Sequence, residues 1–300
     1  MKHAALLLPS LALALVVAPG CCFWRQQNPV KDSVVESRRY IQQGVNALGR
    51  SDLAEAERYC SQAVHACPDD AKARRHYADV LWALDRKQEA LDQIDAALVN
   101  DENDVETRLR AAEMRLLAAK YDAALVDVDR VIDLDPKSAE AWALRGRTMR
   151  AKGQAKQALA DFQRSLVYEP RRRDVLQHTA ELYQELGEPH KALSALQTWA
   201  DTYGSGEEPA DLFAAQGRTY MAMNRYGEAA RSLQLARSRG AANPEVLAML
   251  AEAEAAAGHP TAAYEAAQQA LAMAPNDPRH QELLQRTAAA VPPPTGTIRR

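Results

Sequence analysis

Residues 139–172 read AEAWALRGRTMRAKGQAKQALADFQRSLVYEPRR, and the way this 34-residue stretch recurs decides the fold. It places Trp142, Gly146, Gly153, Ala158, Phe162 and Pro170 at positions 4, 8, 15, 20, 24 and 32. Moving outward by the same step gives units 37–70, 71–104, 105–138, 139–172 and 173–206 without a slip, then 210–243 and 244–277 after three extra residues. Position 8 is Gly44, Ala78, Ala112, Gly146, Ala180, Gly217 and Ala251, all small. Position 20 is Ala56, Ala90, Ala124, Ala158, Ala192, Ala229 and Ala263. Such constancy points to a close helix crossing, where the two helices of a hairpin meet at positions 8 and 20 and only Gly or Ala lets the backbones approach. Val128 with Val131, Leu233 with Ala236, and Ala267 with Ala270 give the second helix an apolar face at positions 24 and 27. Pro68, Pro136, Pro170 and Pro275 stop that helix at position 32, since proline cannot donate the bond that continuing it would need.

These residues at this spacing resemble the tetratricopeptide repeat. The resemblance implies an all-α fold, a right-handed α-solenoid of seven helix-turn-helix hairpins over residues 37–277. A capping helix over 278–291 would cover the open apolar end with Leu283 and Leu284, and Pro292-Pro293-Pro294 would leave residues 292–300 as a disordered tail. The pattern departs from the repeat where Glu102, Gly204 and Ala241 replace proline and where Trp199 takes a position that usually holds a small residue. Residues 204–209 lengthen one connection and mark a candidate hinge between the fifth and sixth units.

Composition agrees with an all-helical chain: alanine and other helix formers abound, aromatic residues are 6%, and no stretch alternates apolar and polar residues as a sheet strand would. A net charge of −3, with 26% charged residues, gives no bulk attraction to nucleic acid or anionic lipid. The N-terminus runs from Met1-Lys2-His3 through an apolar stretch, Ala4 to Ala18, to Gly20-Cys21-Cys22, the pattern of an export signal over residues 1–20. Ala18-Pro19-Gly20 before Cys21 fits ordinary signal cleavage and also resembles a bacterial lipobox, with Ala18 and Pro19 as departures. Lipidation would fall on Cys21, with residues 21–36 as a polar tether, so the expected location is exported, periplasmic or held to a membrane by that lipid.

In the repeat family, the first helix of each unit faces a concave groove through positions 2, 5, 6, 9, 12 and 13, and the groove takes a peptide or helix of a partner protein. The family's clamp for a terminal carboxylate needs asparagine at position 9, which holds Val45, Asp79, Glu113, Arg147, Glu181, Arg218 and Glu252 here. The fourth unit carries a local excess of eight basic over three acidic residues. Arg147 and Arg150, with Arg110 from the third unit, form a candidate partner-binding cluster suited to carboxylate or phosphate. The competing reading is that these arginines pair with Glu113, Glu181 and Glu185 on adjacent helices. Trp82, with Leu116 and Leu117, either anchors a partner in the groove or packs between units.

Cys60 and Cys67 lie about 10 Å apart along one helix, too far for a disulfide, and read as buried free thiols. No histidine pair, Cys-x-x-Cys, phosphate loop or nucleophile elbow appears, so neither a metal nor a cofactor is expected. The repeats occupy the chain from Ser37 to Asp277, leaving no room for a separate catalytic domain. The expected function is a non-catalytic scaffold or adaptor of the bacterial cell envelope that binds a protein partner. An envelope enzyme, or enzyme-associated subunit acting on cell-wall polymer, is the alternative, and end-to-end self-association stays open.

Overall fold

A computed structural model describes residues 29–291, all helix and turn with no strand among them. The hairpins are α1 (Pro29–Gly49) with α2 (Leu53–Ala66), α3 (Ala71–Ala83) with α4 (Lys87–Asn100), α5 (Val105–Leu117) with α6 (Tyr121–Leu134), and α7 (Ala139–Ala151) with α8 (Ala155–Tyr168). Next come α9 (Arg173–Glu185) with α10 (Pro189–Ala200), α11 (Ala210–Ala222) with α12 (Tyr226–Ser238), α13 (Pro244–Ala256) with α14 (Pro260–Met273), and a last helix α15 (Pro278–Ala290). Each helix packs chiefly on the ones before and after it, and first helices of adjacent units touch, which makes the array a solenoid of helical hairpins.

One backbone device closes every hairpin. The residue at position 15 lies in the left-handed region in all seven units: Ser51, Asp85, Ala119, Gly153, Gly187, Asn224 and Gly258, with φ between 57° and 86°. The amide one residue further on then reaches back to a carbonyl five residues earlier, as Arg86 does to Leu81, Lys120 to Arg115 and His259 to Glu254, each at 2.8–2.9 Å. This ends the first helix and satisfies its last carbonyls. Between units, Ser138 caps α7 by accepting from the Ala141 amide, and the Trp142 indole donates to the Pro136 carbonyl of the preceding unit at 2.9 Å.

The position-20 alanines are all buried, and so are the position-8 residues Ala78, Ala112, Ala180 and Ala251. The close approach nevertheless differs from a meeting of positions 8 and 20 alone. A Cβ on Gly146 would lie 2.6 Å from the Phe162 ring and 3.2 Å from the Ala158 carbonyl oxygen, so the space is taken first by the position-24 side chain. Gly217 stands in the same relation to Leu233 at 2.5 Å, and Gly44 to the Cys60 sulfur.

Buried ion pairs stitch the units together on the second-helix side. Asp127 of α6, 2% exposed, receives Arg108 at 3.3 Å and Arg115, and Arg115 also reaches Asp95 of α4. Arg145 of α7 holds Asp161 at 2.7 Å and Asp129 of α6 at 3.0 Å. Arg115 and Arg145 thus each span two second helices, a geometry for which the forked guanidinium is suited.

Three expectations need correction or bounds. The tether expected over residues 21–36 is helical from Pro29 onward: proline is well placed at a helix start, and nothing between it and Gly49 breaks the helix. Ser37 is buried and donates at 3.2 Å to Asp70, the N-cap of α3, so the entry to the array is packed. Cys67 is half-buried because it caps the end of α2, whereas Cys60 is fully buried, and both are free thiols. Residues 1–20, Cys21 and the tail 292–300 lie outside the described residues.

The last helix is more than a lid. Pro278 stands one full 34-residue step after Pro244, and α15 packs on α14 and α13 as α13 packs on α12 and α11. His280, Leu283 and Thr287 are its buried face, while Gln281, Gln285 and Ala288 are exposed on the side a following helix would cover. It is the first helix of an eighth unit with a polar outer side.

Candidate functional site

The first helices of units two to five line a cleft of about 290 Å³. Its residues come from positions 2, 5, 6 and 9, together with Arg172 at the α9 N-cap. Leu109, Ala143 and Leu144 form an apolar floor, and charged side chains of both signs stand around it. Helix geometry brings them together, since residues three or four apart share a face and the repeat sets each such face beside the next.

Arg110 and Arg147 both line this cleft; Arg150 and Trp82 do not. Arg110 donates to Asp79 of α3 at 2.6 Å and to Glu113 at 2.7 Å. Burial alone would lower its pKa; Asp79 and Glu113 outweigh that and raise it, so the cation is fixed. Arg147 approaches Glu113 of α5 at 3.6 Å, and its buried Nε has no hydrogen-bond partner. Arg150 donates to Glu181 of α9 at 2.7 Å and to Glu185 at 2.5 Å. The three candidate arginines therefore serve as clasps between adjacent units.

Glu181 is the most perturbed acid of the groove. A hydrogen bond from His178, joined by those from Arg150 and Gln177 and opposed by burial, holds its carboxyl down at about 2. The His178 contact is long at 3.5 Å, and the 2.7 Å bond from Arg150 is the stronger by geometry. His76 is shifted the other way, its pKa lowered by burial and by the neighbouring Arg75 cation, so it contributes a neutral ring. The next joint along the groove is made without charge: Gln184 of α9 donates to the Ala215 carbonyl at 2.8 Å and to the Thr219 hydroxyl at 2.6 Å of α11. Below it, the 204–209 connection is tied down by Arg239, whose guanidinium reaches the Gly206 carbonyl and the Glu208 carboxylate.

Trp82 is half-buried against Ala78, Leu81, Leu91, Ile94 and Met114, with the Lys87 ammonium 6.0 Å from its ring, which is packing within and between units. Leu116 packs likewise on the Ala112–Val128 cluster, and Leu117 alone of that trio is exposed. Sequence reasoning missed Arg75 at position 5 of the second unit. It is 5% exposed, with Glu106 at 2.8 Å but outside hydrogen-bond geometry, so its Nη1 has no hydrogen bond. Its position in the frame was the available signal. Among the described residues, no group of His, Cys, Asp and Glu is arranged to hold a metal ion, and no helix is long and apolar enough to cross a membrane.

Two tetratricopeptide repeat profiles match the chain, one over residues 132–274 and the other over residues 41–105. Mouse DnaJ homolog subfamily C member 7 is 29% identical over 111 residues, which is 37% of this chain and 22% of that relative. The match thus spans about a fifth of the curated protein. A tetratricopeptide repeat protein from Parabacteroides merdae shares the fold with a TM-score of 0.59 and 16% identity, over 84% of this chain and 99% of that one. PilW, a type IV pilus biogenesis factor, does so with a TM-score of 0.58 and 17% identity, over 83% and 98%. With the two profiles together matched across more than half of the 300 residues and the hairpin architecture running through the described part, the chain belongs to the tetratricopeptide repeat family.

Proposed function

We propose that the chain is an exported, lipid-anchored adaptor of the bacterial cell envelope that binds a segment of a partner protein in its concave groove and carries out no chemistry of its own. The observation that carries this reading is the central cleft, where four successive first helices set charged side chains around an apolar floor. Such a surface recognises side chains by charge and shape. Arg110 at the cleft is held by Asp79 and Glu113, and no residue with a hydroxyl or thiol lines it. The envelope setting rests on the Met1–Gly20 segment and Cys21. PilW, of like fold, is a pilus biogenesis factor, which offers a parallel for service in an assembly.

Two experiments test it. Intact-mass analysis of the chain made in a bacterial host should show residues 1–20 removed and lipid on Cys21, both abolished in Cys21→Ser; an unprocessed N-terminus overturns the anchor. A photo-crosslinking residue at Arg147 in the groove should trap a discrete partner in cells that the same residue at the exposed Val126 of α6 does not. Equal capture from both places removes the groove, and turnover of cell-wall polymer by the purified chain alone would replace the adaptor with an enzyme.

A further inference from the structure

In the middle of the groove the guanidiniums of Arg110 and Arg150 are each held by two carboxylates. The C-terminal end is different. There α11, α13 and α15 enclose a cleft of about 440 Å³ floored by Ala248, Met249 and Leu283. The ninth positions of the three helices are Arg218, Glu252 and Arg286. Arg218 is exposed and has no hydrogen bond or ion pair among the described residues. Arg286 meets Glu252 only at 3.9 Å. One carboxylate between two guanidiniums leaves this row with a positive charge in excess.

The other end of the same cleft is anionic in balance, with Glu245 and Glu282 beside Arg279, itself held by Asp277 at 2.6 Å. A third feature lies in the wall. His280 has its side chain 8% exposed, and its buried Nδ1 lacks a hydrogen bond, the nearest acid being Asp277 at 3.9 Å. The equivalent third positions of units two to seven are Ala73, Thr107, Ala141, Val175, Leu212 and Val246, all buried and none of them ionisable, while that of the first unit, Arg39, is exposed. A polar atom left unsatisfied at a cleft wall is met by an occupant's hydroxyl or amide more cheaply than by none.

We propose that this cleft is where the array takes an acidic residue of a partner protein segment. The carboxylate lies across Arg218 and Arg286, and the adjoining apolar side chain lies on Ala248, Met249 and Leu283. This deepens the reading of the chain as a partner-binding adaptor and rests on it. An acid meeting Arg110 or Arg150 in the central groove would have to displace Asp79, Glu113, Glu181 or Glu185 from pairs already made, whereas Arg218 is open. A polyanion fits worse than a single carboxylate, because it would run on into Glu245 and Glu282.

The test uses the full chain carrying 13C-labelled methionine methyls, titrated with a twelve-residue amphipathic peptide of leucine and glutamate and with its glutamine and lysine counterparts. The glutamate peptide should shift the Met249 methyl and leave the buried Met114 methyl unmoved. Its affinity should fall roughly tenfold, the scale of a charge-assisted contact, in Arg218→Glu/Arg286→Glu, and stay within about twofold in Arg58→Gln/Arg130→Gln, at exposed positions of the second helices α2 and α6. Equal binding of the glutamine or lysine peptide overturns the inference, as does full binding by the Arg218/Arg286 variant with an unchanged melting curve. Binding lost instead in Arg147→Glu moves the site to the central groove, so the inference falls and the adaptor stands. If none of the three peptides shifts Met249 the inference also falls, and the crosslinks decide the adaptor separately.

Discussion

Gly146 lies directly beneath the Phe162 ring of its own hairpin, so close that a Cβ built on it would stand 2.6 Å from two ring carbons. Phe162 is itself fully buried and stacks on His178 of the next unit with ring centroids 5.7 Å apart, so it has no free direction in which to retreat. Gly146→Ala should therefore destabilise the chain by about 1–3 kcal/mol through overpacking, and Gly146→Leu by at least as much. Gly146→Ala/Phe162→Leu should recover part of the loss, because Ala180 and Leu196 fill the same two positions in the following hairpin. Urea midpoints of the three proteins decide it; an unchanged midpoint for Gly146→Ala would contradict the packing described.

Ala119 holds φ at 57° in the turn between α5 and α6, a conformation its Cβ disfavours and which three other units assign to glycine. Ala119→Gly should stabilise the chain by about 0.5–1 kcal/mol, the relief of strain exceeding the entropy glycine adds to the unfolded chain. Gly153→Ala should do the reverse. The pair of opposite signs, read by thermal denaturation, separates turn strain from a general effect of composition.

Asp127 is almost wholly buried between Arg108 and Arg115. Asp127→Ala removes the acid and leaves two guanidiniums facing each other, so a loss of about 3 kcal/mol is expected, towards the lower end for a buried pair because both arginines keep some exposure. Arg115 retains Asp95. Adding Asp95→Ala should therefore cost more in the Asp127→Ala background than in the wild type, which a double-mutant cycle measures.

The Glu181 carboxyl, held at about 2 against an ordinary 4.5, makes the α7–α9 clasp sensitive to acid. A depressed folded pKa contributes stability that is complete above the unfolded value and is lost as protons bind on the way down to the folded one. Between about pH 4.5 and 2 the wild type should therefore lose stability faster than Glu181→Gln, which has no proton to take up there. Parallel curves of the two proteins over that window would remove Glu181 from the account.

The solenoid of hairpins was legible because the constraint is periodic: a side chain that recurs at position 20 in every unit reports a packing event that recurs too. The start of α1 was not, since Pro29 reads equally as the end of a linker and as the first residue of a helix, and only the packing of Ser37 against Asp70 shows the entry to be ordered. Within the groove, the frame groups Arg110, Arg147 and Arg150, and the first two line the central cleft while Arg150 does not. What it left undecided is whether a groove arginine faces a partner or a neighbour, because that depends on where the acids of the adjacent helix stand across the superhelix. Arg286 was within reach of the same reasoning, by carrying the 34-residue step once more past Pro244.

The joints of the groove differ in kind. From α3 to α9 each is closed by charges, Asp79 to Arg110, Glu113 to Arg147, and Arg150 to Glu181 and Glu185. The joint from α9 to α11 is closed by the neutral Gln184. Dissolved ions weaken the first kind and leave the second nearly untouched. A partner lying along the groove thus meets joints of two kinds, and it is the charged ones, between α3 and α9, whose hold is expected to respond to the salt around them.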